Sequence, residues 1–216
     1  MPGFGLLADD FDDGVRDPVL WSGSYGDIAE ADGRARVPCT TGYAAYATAS
    51  AYSLASAQVA CRVHPPAAGG ATDEALAEVL VLSGTGGTDA GFSLNAVTGT
   101  LRLVSRTGYA DPAEVALTYS PSDHAWVRLR ESAGSLYWET SADGVTWTTR
   151  RTAASPAWVS GTALELVLAA HRGSGLDDFA EFDDLNITRP GQCGPGSAAV
   201  GHLSPHPRTA PSLEGG

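Results

Sequence analysis

The alternation of apolar and polar residues over 124–150 predicts three consecutive antiparallel strands. Val127 and Leu129 are separated by polar residues, as on a strand with one buried face. The next segment, 136–141, alternates in the same way. An Asp-Gly pair at 143–144 then gives the strongest hairpin signal in the chain. The pattern therefore predicts a three-stranded meander in the second half of the sequence.

Short apolar runs separated by glycine and proline turns continue along the rest of the chain. The runs at 76–82 and 164–170 are apolar on both faces, which is typical of strands in the middle of a sheet. Phe4 to Phe11 reads as a first strand, and 179–188 reads as the closing one. Long segments with the helical period of 3.6 residues are missing, and 216 residues are enough for one sizeable core. The fold class predicted is all-β, an antiparallel β-sandwich.

The composition changes after Arg189. Residues 190–216 are rich in glycine and proline and have no hydrophobic period, so they cannot build a core. We expect one domain at 1–189 and an extended C-terminal tail or linker at 190–216. The sequence contains no apolar stretch as long as a membrane span. Its N-terminus also lacks the basic and apolar regions of a secretory signal.

Charge and cysteine content narrow the classes of partner. The chain has 25 acidic residues and 13 basic ones, for a net charge of −12. This balance disfavours nucleic acids and anionic membranes, because binding phosphate groups needs a cationic surface. The odd number of cysteines favours free thiols, although a bridge between Cys39 and Cys61 stays open. Cys61, inside an apolar run, is expected to be a small buried residue.

Three segments carry a resemblance to a known family. They are the meander from WVRLR to SADGVTW at 126–147, LADDFDDG at 7–14, and AEFDDLNIT at 180–188. Together they resemble the concanavalin A-like jelly rolls, which include lectins, glucanases and laminin G-like domains. The resemblance covers 4–189 and implies a β-sandwich jelly roll. It says little about function, because this architecture hosts enzymes, binding modules and structural parts.

The resemblance also allows a test for catalytic residues. Glucanases of this fold place their catalytic carboxylates along one strand, in a Glu-x-Asp-x-x-Glu pattern. The nearest match here starts at Glu181 and Asp183 and ends at Asn186. An asparagine cannot serve as a general acid, and the match falls on the closing strand. These residues are therefore expected to form an ordinary terminal strand, not an active site.

Clustered aspartates suggest a metal site. Jelly-roll modules often hold a structural Ca²⁺ near their paired terminal strands. Asp9, Asp10, Asp12 and Asp183 would meet there if the first and last strands were neighbours, and Ca²⁺ prefers such oxygen ligands. The alternative is that these aspartates cap turns and strand ends. A structural Ca²⁺ is kept as a hypothesis.

Exposed aromatic residues are the candidates for glycan binding, because their rings stack on sugars. Trp158 and Tyr109 lie in predicted loops and are the best of them. Trp21 and Trp138 are expected to be buried anchors of the core. Most other aromatic residues lie at strand period, where cross-strand pairing is the usual role.

We expect from these observations a structural or binding protein and not an enzyme. A stand-alone acidic jelly roll resembles virion proteins of phages that infect actinobacteria, where such domains decorate capsids or form minor tail proteins. In that role the tail would bind other virion proteins, and the sandwich would contact cell-surface polysaccharide. The alternatives are an extracellular carbohydrate-binding module of a polysaccharide-degrading system, or a glycoside hydrolase.

Overall fold

The computed structural model describes residues 2–187, whose regular secondary structure is almost entirely β-strand. Two short 3-10 helices, Phe4–Leu6 and Ala157–Ser160, are the helical elements of this part of the chain. No helix within it has the length and hydropathy of a membrane span. The tail predicted at 190–216 lies outside the described residues.

The strands form two antiparallel sheets. The seven-stranded sheet contains, in spatial order, β1 (Ala29–Ala31), β2 (Arg34–Cys39), β13 (Asp178–Asp183), β4 (Gln58–His64), β9 (Trp126–Ser132), β10 (Ser135–Ser141) and β11 (Thr148–Ala154). The six-stranded sheet contains β3 (Ala44–Ala47), β12 (Glu165–Arg172), β5 (Ala75–Leu82), β6 (Asp89–Asn95), β7 (Thr100–Arg106) and β8 (Val115–Thr118). The predicted β-sandwich is confirmed.

The core lies between the two sheets, and one tryptophan spans it. Trp21 and Trp138 are both 0% exposed, as predicted. The Trp138 indole, carried by β10, donates hydrogen bonds to the backbone carbonyls of Gly91 (3.0 Å) and Val104 (3.2 Å) on β6 and β7. A buried indole N–H must find an acceptor, so this contact ties the seven-stranded sheet to the six-stranded one.

The predicted meander forms β9, β10 and β11 in neighbouring positions. Val127 and Leu129 face the core, as their alternation predicts. The Asp143 carboxylate accepts the backbone N–H groups of Val145 (2.9 Å) and Thr146 (2.7 Å) and so closes the turn. Gly144 has a φ of +71°, a conformation that glycine adopts without steric cost. Here the turn predicted from the local sequence and the strand pairing of the sheet agree.

The N-terminal segment differs from the prediction. Residues 4–11 do not form a strand; they contain a 3-10 turn and an isolated bridge of Asp9 to Leu185, and a series of side-chain turns follows from Asp9 onward. The carboxylates of Asp9, Asp13 and Asp17 each accept the N–H group two residues ahead, at 2.9, 2.9 and 2.7 Å. Such turns compete with strand pairing for the backbone donors. The closing strand is also shorter than predicted, because β13 ends at Asp183.

The two cysteines in the described region are separate thiols. Cys39 on β2 and Cys61 on β4 are both buried and unbridged. Both belong to the hydrophobic core, which confirms Cys61 as a small buried residue.

Candidate functional site

The side of the six-stranded sheet that faces away from the core is the candidate site, and we call it the outer face. On β5, Ala77 and Val79 point into the core while Glu78 and Leu80 point outward. An apolar patch separate from the core lies on this outer face. It consists of Ala45, Ala47, Leu82, Val167 and Ala169. The runs 76–82 and 164–170 are apolar on both faces because the outer side of this sheet is itself partly apolar.

Three carboxylates reach this outer face from three different strands. Glu78 is on β5, Asp89 begins β6 and Glu165 begins β12. Glu165 pairs with Leu82, and Leu82 pairs in turn with Asp89. Because paired residues of neighbouring strands point to the same side, Glu165 and Asp89 flank Leu82 on the outer face.

A depression of about 220 Å³ lies where these residues meet. Leu82, Asp89 and Glu165 line it together with the glycine-rich loop 84–88. Tyr109 packs against this loop: its backbone N–H donates to the carbonyl of Gly87 at 2.8 Å, and its side chain is 79% exposed. One of the two predicted glycan-stacking residues therefore packs on the loop that lines the depression.

Burial perturbs the acidity of all three carboxyl groups. Burial raises the pKa of Asp89, and the Arg106 Nε, 2.8 Å from its Oδ1, partly offsets this. Burial also raises the pKa of Glu165, offset by the hydroxyl of Ser50 at 3.3 Å. The pKa of Glu78 is raised by burial as well. Shifted carboxyl groups in a depression are a recognised sign of a functional site.

The partners of Asp89 and Glu165 lie on opposite sides. Arg106 is on β7, beyond β6, whereas Ser50 follows β3, beyond β12. The Cα atoms of Asp89 and Glu165 are two strand spacings apart, about 10 Å. Each carboxyl group therefore has its hydrogen-bond partner on the side away from the other, and both groups line the depression beside Leu82.

Exposed tyrosines stand at the β3 edge of the outer face. Tyr25 pairs with Ala45 and is 47% exposed. Burial raises the pKa of Tyr25, and the nearby Glu165 and Glu78 raise it further. Tyr43 is 70% exposed and stacks on His171 with the ring centroids 4.2 Å apart. Such rings offer the flat apolar surface on which sugars stack.

The second predicted stacking residue has a different environment. Trp158 lies in the helix Ala157–Ser160, half-buried and packed against the core. Its indole nitrogen is buried without a hydrogen-bond partner among residues 2–187. Trp158 does not line the depression at Leu82. Its assignment to ligand binding stays a prediction.

The calcium hypothesis also stays a prediction. Among the described residues, no three histidine, cysteine or acidic side chains are arranged to hold a metal ion. Asp9 accepts the Trp21 indole N–H at 2.7 Å, and Asp10 accepts the N–H of Asp12 at 3.3 Å. Asp183 lies on β13, opposite Arg62 of β4.

The Glu181 motif lies on the opposite side of the molecule. Glu181 and Asp183 point outward from the seven-stranded sheet. The Glu181 carboxylate is paired with Arg34 at 2.7 Å and Arg36 at 2.9 Å. Asn186 instead bridges the termini: its side chain donates to the carbonyls of Phe4 and Leu7, both at 2.9 Å. These contacts agree with the expectation of an ordinary terminal strand.

Sequence reasoning missed the carboxylates of the outer face because it searched along single strands. Glu78, Asp89 and Glu165 are more than ten residues apart in the sequence, and each is on a different strand. One signal was available: Glu78 stands alone inside the apolar run 76–82. A carboxylate in the middle of such a strand needs a functional or pairing reason.

Solved structures of glucan-cleaving enzymes share this fold. A catalytic domain of an endo-1,3-β-glucanase (laminarinase) from Thermotoga petrophila is 13% identical, with a TM-score of 0.61 over 83% of this chain and 95% of that one. A Bacillus licheniformis β-glucanase is 11% identical, with a TM-score of 0.62 over 85% and 97%. A non-specific endo-β-1,3(4)-glucanase of glycoside hydrolase family 16 is 10% identical, with a TM-score of 0.58 over 83% and 88%. No protein-family model and no curated protein sequence matches the chain.

These likenesses confirm the concanavalin A-like jelly-roll fold and correct the functional hypothesis. The prediction of a non-enzymatic virion protein is wrong, because the matching structures are glucan-cleaving enzymes. A phage origin has no support from them. The alternative of a polysaccharide-degrading role agrees better with the comparisons.

Proposed function

We propose that the protein is a glycoside hydrolase that holds a polysaccharide across the outer face of its six-stranded sheet. One observation carries the proposal: Asp89 and Glu165, with raised pKa values, flank an open depression on that face. Tyr109 at its rim and the exposed Tyr25 and Tyr43 supply stacking surfaces for neighbouring sugar units.

The two carboxyl groups differ in a way that assigns their roles. Asp89 has a guanidinium beside it, which favours its ionised form, as a general base requires. Within residues 2–187, Glu165 is hydrogen-bonded to the Ser50 hydroxyl and to no cation, so burial acts on it there without a compensating charge. Pairs of acids with different surroundings divide acid and base work in this manner. Glu165 is therefore the general acid, and Asp89 is the base.

The reaction that follows is direct hydrolysis. Glu165 transfers its proton to the glycosidic oxygen as the bond from that oxygen to the anomeric carbon breaks. A water between the two carboxyl groups loses a proton to Asp89, and its oxygen bonds to the anomeric carbon. Retention through a covalent intermediate needs carboxyl groups about 5 Å apart. The strand spacing and the outward anchoring of both groups favour the water route.

The outer face suits a neutral polymer. The carboxylates of Glu78 and Asp89 would repel a glycan that carries carboxylate or sulfate groups. The similar solved structures act on β-1,3- and mixed β-1,3(4)-glucans. These neutral glucans are therefore the first substrates to test.

The test is release of reducing sugar from laminarin and from mixed-linkage β-glucan. Glu165→Gln keeps the size of the side chain but cannot donate the catalytic proton, so activity should fall by about 10²–10⁴-fold. Glu181→Gln makes the same chemical change on the opposite sheet and should keep full activity. Melting curves of both variants verify that they fold.

Two results would overturn the proposal. The first is a wild-type protein that releases no sugar from any neutral glucan. The second is a Glu165→Gln variant as active as Glu181→Gln. Binding of the glucan without cleavage would leave the outer face as a glycan-binding surface and remove the catalytic assignment.

A further inference from the structure

A second depression, of about 490 Å³, lies away from the outer face, and we call it the edge groove. Its walls are Leu6 of the N-terminal turn, residues 55–58, and 130–132 at the end of β9. Gln58 and Arg130 pair with each other and point outward from the seven-stranded sheet. Its volume lies in the usual range of small-molecule sites, roughly 300–1,000 Å³. Nothing in the proposed reaction uses it.

The edge groove and the catalytic depression are joined by one continuous segment, 50–57. At one end the Ser50 hydroxyl contacts Glu165. Tyr52 then forms reciprocal backbone hydrogen bonds with Leu164, at 3.1 and 3.0 Å. At the other end, the backbone N–H of Ser56 donates to the Glu131 carboxylate in the groove. Eight residues span at most about 28 Å, so a polymer around this edge of the sandwich can reach both depressions.

The groove combines a polar side chain that is held in place by its contacts with polar side chains that can still form hydrogen bonds. The Arg130 guanidinium lies 4.2 Å above the Tyr137 ring and is hydrogen-bonded to Glu139 at 3.2 Å, so its position is set. Within the described residues, no hydrogen bond engages the side chains of Ser56, Gln58 or Ser132. These hydroxyls and the amide can both donate and accept.

This set of groups suits a neutral sugar. The Glu139 carboxylate is shared between Arg128 and Arg130, and Glu131 adds a second carboxylate at the groove. The two acids offset the two guanidinium groups, so the groove has no excess of positive charge to select an anion. Leu6, 78% exposed, supplies an apolar wall for the C–H face of a pyranose ring. A sugar offers many hydroxyls, each a donor and an acceptor, which match the free amide and hydroxyls.

We infer that the edge groove is a second glycan-binding site, which takes units of the same neutral polymer whose cleavage occurs on the outer face. The identity of that polymer rests on the proposed function. A chain long enough to occupy both sites binds more tightly than a short one, because the second contact is intramolecular. The groove therefore makes the protein selective for long polysaccharide over short oligosaccharide.

The experiment compares polymer with oligosaccharide for three variants. Gln58→Ala combined with Ser132→Ala removes two of the three free polar groups, and Leu6→Asp changes the exposed wall without touching the core. Thr152→Ala, an exposed position on β11 of the same sheet, is the control. For the groove variants the KM for laminarin or mixed-linkage β-glucan should rise by about three- to tenfold. Their kcat, and their KM for a tetrasaccharide, should stay at the wild-type values.

Native gels that contain the same polymers give a readout independent of catalysis. The wild type and Thr152→Ala should be retarded strongly, and the groove variants weakly. Equal retardation of groove variants and wild type would overturn the inference, and so would a wild type that no polymer retards. Equal losses on polymer and tetrasaccharide would also overturn it, because the effect would then act through the outer face. Retardation that depends on the groove in a protein without hydrolytic activity would support the groove and refute the catalytic proposal.

Discussion

Glu30→Gln should remove a pH-dependent loss of stability. The Glu30 carboxyl group has both oxygens buried without a hydrogen-bond partner among residues 2–187. Burial, together with the charges of Asp9 and Asp13, raises the pKa of Glu30 from 4.5 to about 7. Two carboxylates cannot hydrogen-bond to each other, but a protonated Glu30 can donate to Asp13. The folded state therefore prefers the neutral acid.

The sign and size of the effect follow from linkage. Because the folded pKa lies above the unfolded one, this stabilisation is complete below pH 4.5 and is lost as the pH rises to about 7. The difference corresponds to at most about 3.4 kcal/mol. Although its two carboxyl oxygens are buried, the Glu30 residue as a whole is partly exposed, so solvent screening reduces the expected value to about 1–2 kcal/mol. The Glu30→Gln variant should gain that amount at pH 8 and nothing at pH 4.

Urea unfolding between pH 4 and pH 8.5 measures this directly. The control is Asp27→Asn, which removes one negative charge from an exposed position near β1. The stability of Glu30→Gln relative to this control should rise between pH 4.5 and 7 and then stay constant. A constant difference across the whole range would refute the reasoning, since it would show that Glu30 titrates alike in the folded and unfolded chain.

Two further predictions test the core and the reaction. Trp138→Phe keeps an aromatic ring but loses the hydrogen bonds to the Gly91 and Val104 carbonyls. The free energy of unfolding should therefore fall by about 2–4 kcal/mol. A fall below about 0.5 kcal/mol would show that the hydrogen bonds between the sheets do not stabilise the fold. If Asp89 and Glu165 act through a water, proton NMR of the first product should show an inverted anomeric configuration, and a retained one would exclude this water route.

Local sequence chemistry predicted the meander well because it needed no distant partner. The alternation over 125–131 and the turn at Asp143 are properties of a few neighbouring residues, and the sheet preserved them. The segment 4–11 failed for a related reason. Its apolar residues suggested a strand, but the chain makes a 3-10 turn at Phe4–Leu6, and the Asp9 carboxylate accepts the backbone N–H of Phe11.

The candidate site could not be predicted in the same way. Asp89 and Glu165 are brought together by the pairing of β5 with both β6 and β12, and a single sequence does not specify which strands pair. The exposed turn position of Tyr109 was predictable because it is a local feature, whereas the burial that raises the pKa of Glu165 depends on the whole sheet.

The placement of the carboxylates on sheet strands links the site to the slowest-opening part of the protein. Glu78 is in β5, which is hydrogen-bonded to β6 on one side and β12 on the other. Amide hydrogens of such central strands exchange mainly through global unfolding, whereas loops exchange through local opening. The spacing between Asp89 and Glu165 is therefore fixed by the same hydrogen-bond ladder that holds the sandwich, and it persists until the domain unfolds cooperatively. Changes of substrate would therefore arise from substitutions in the loop 84–88, because these leave the hydrogen bonds between the strands intact.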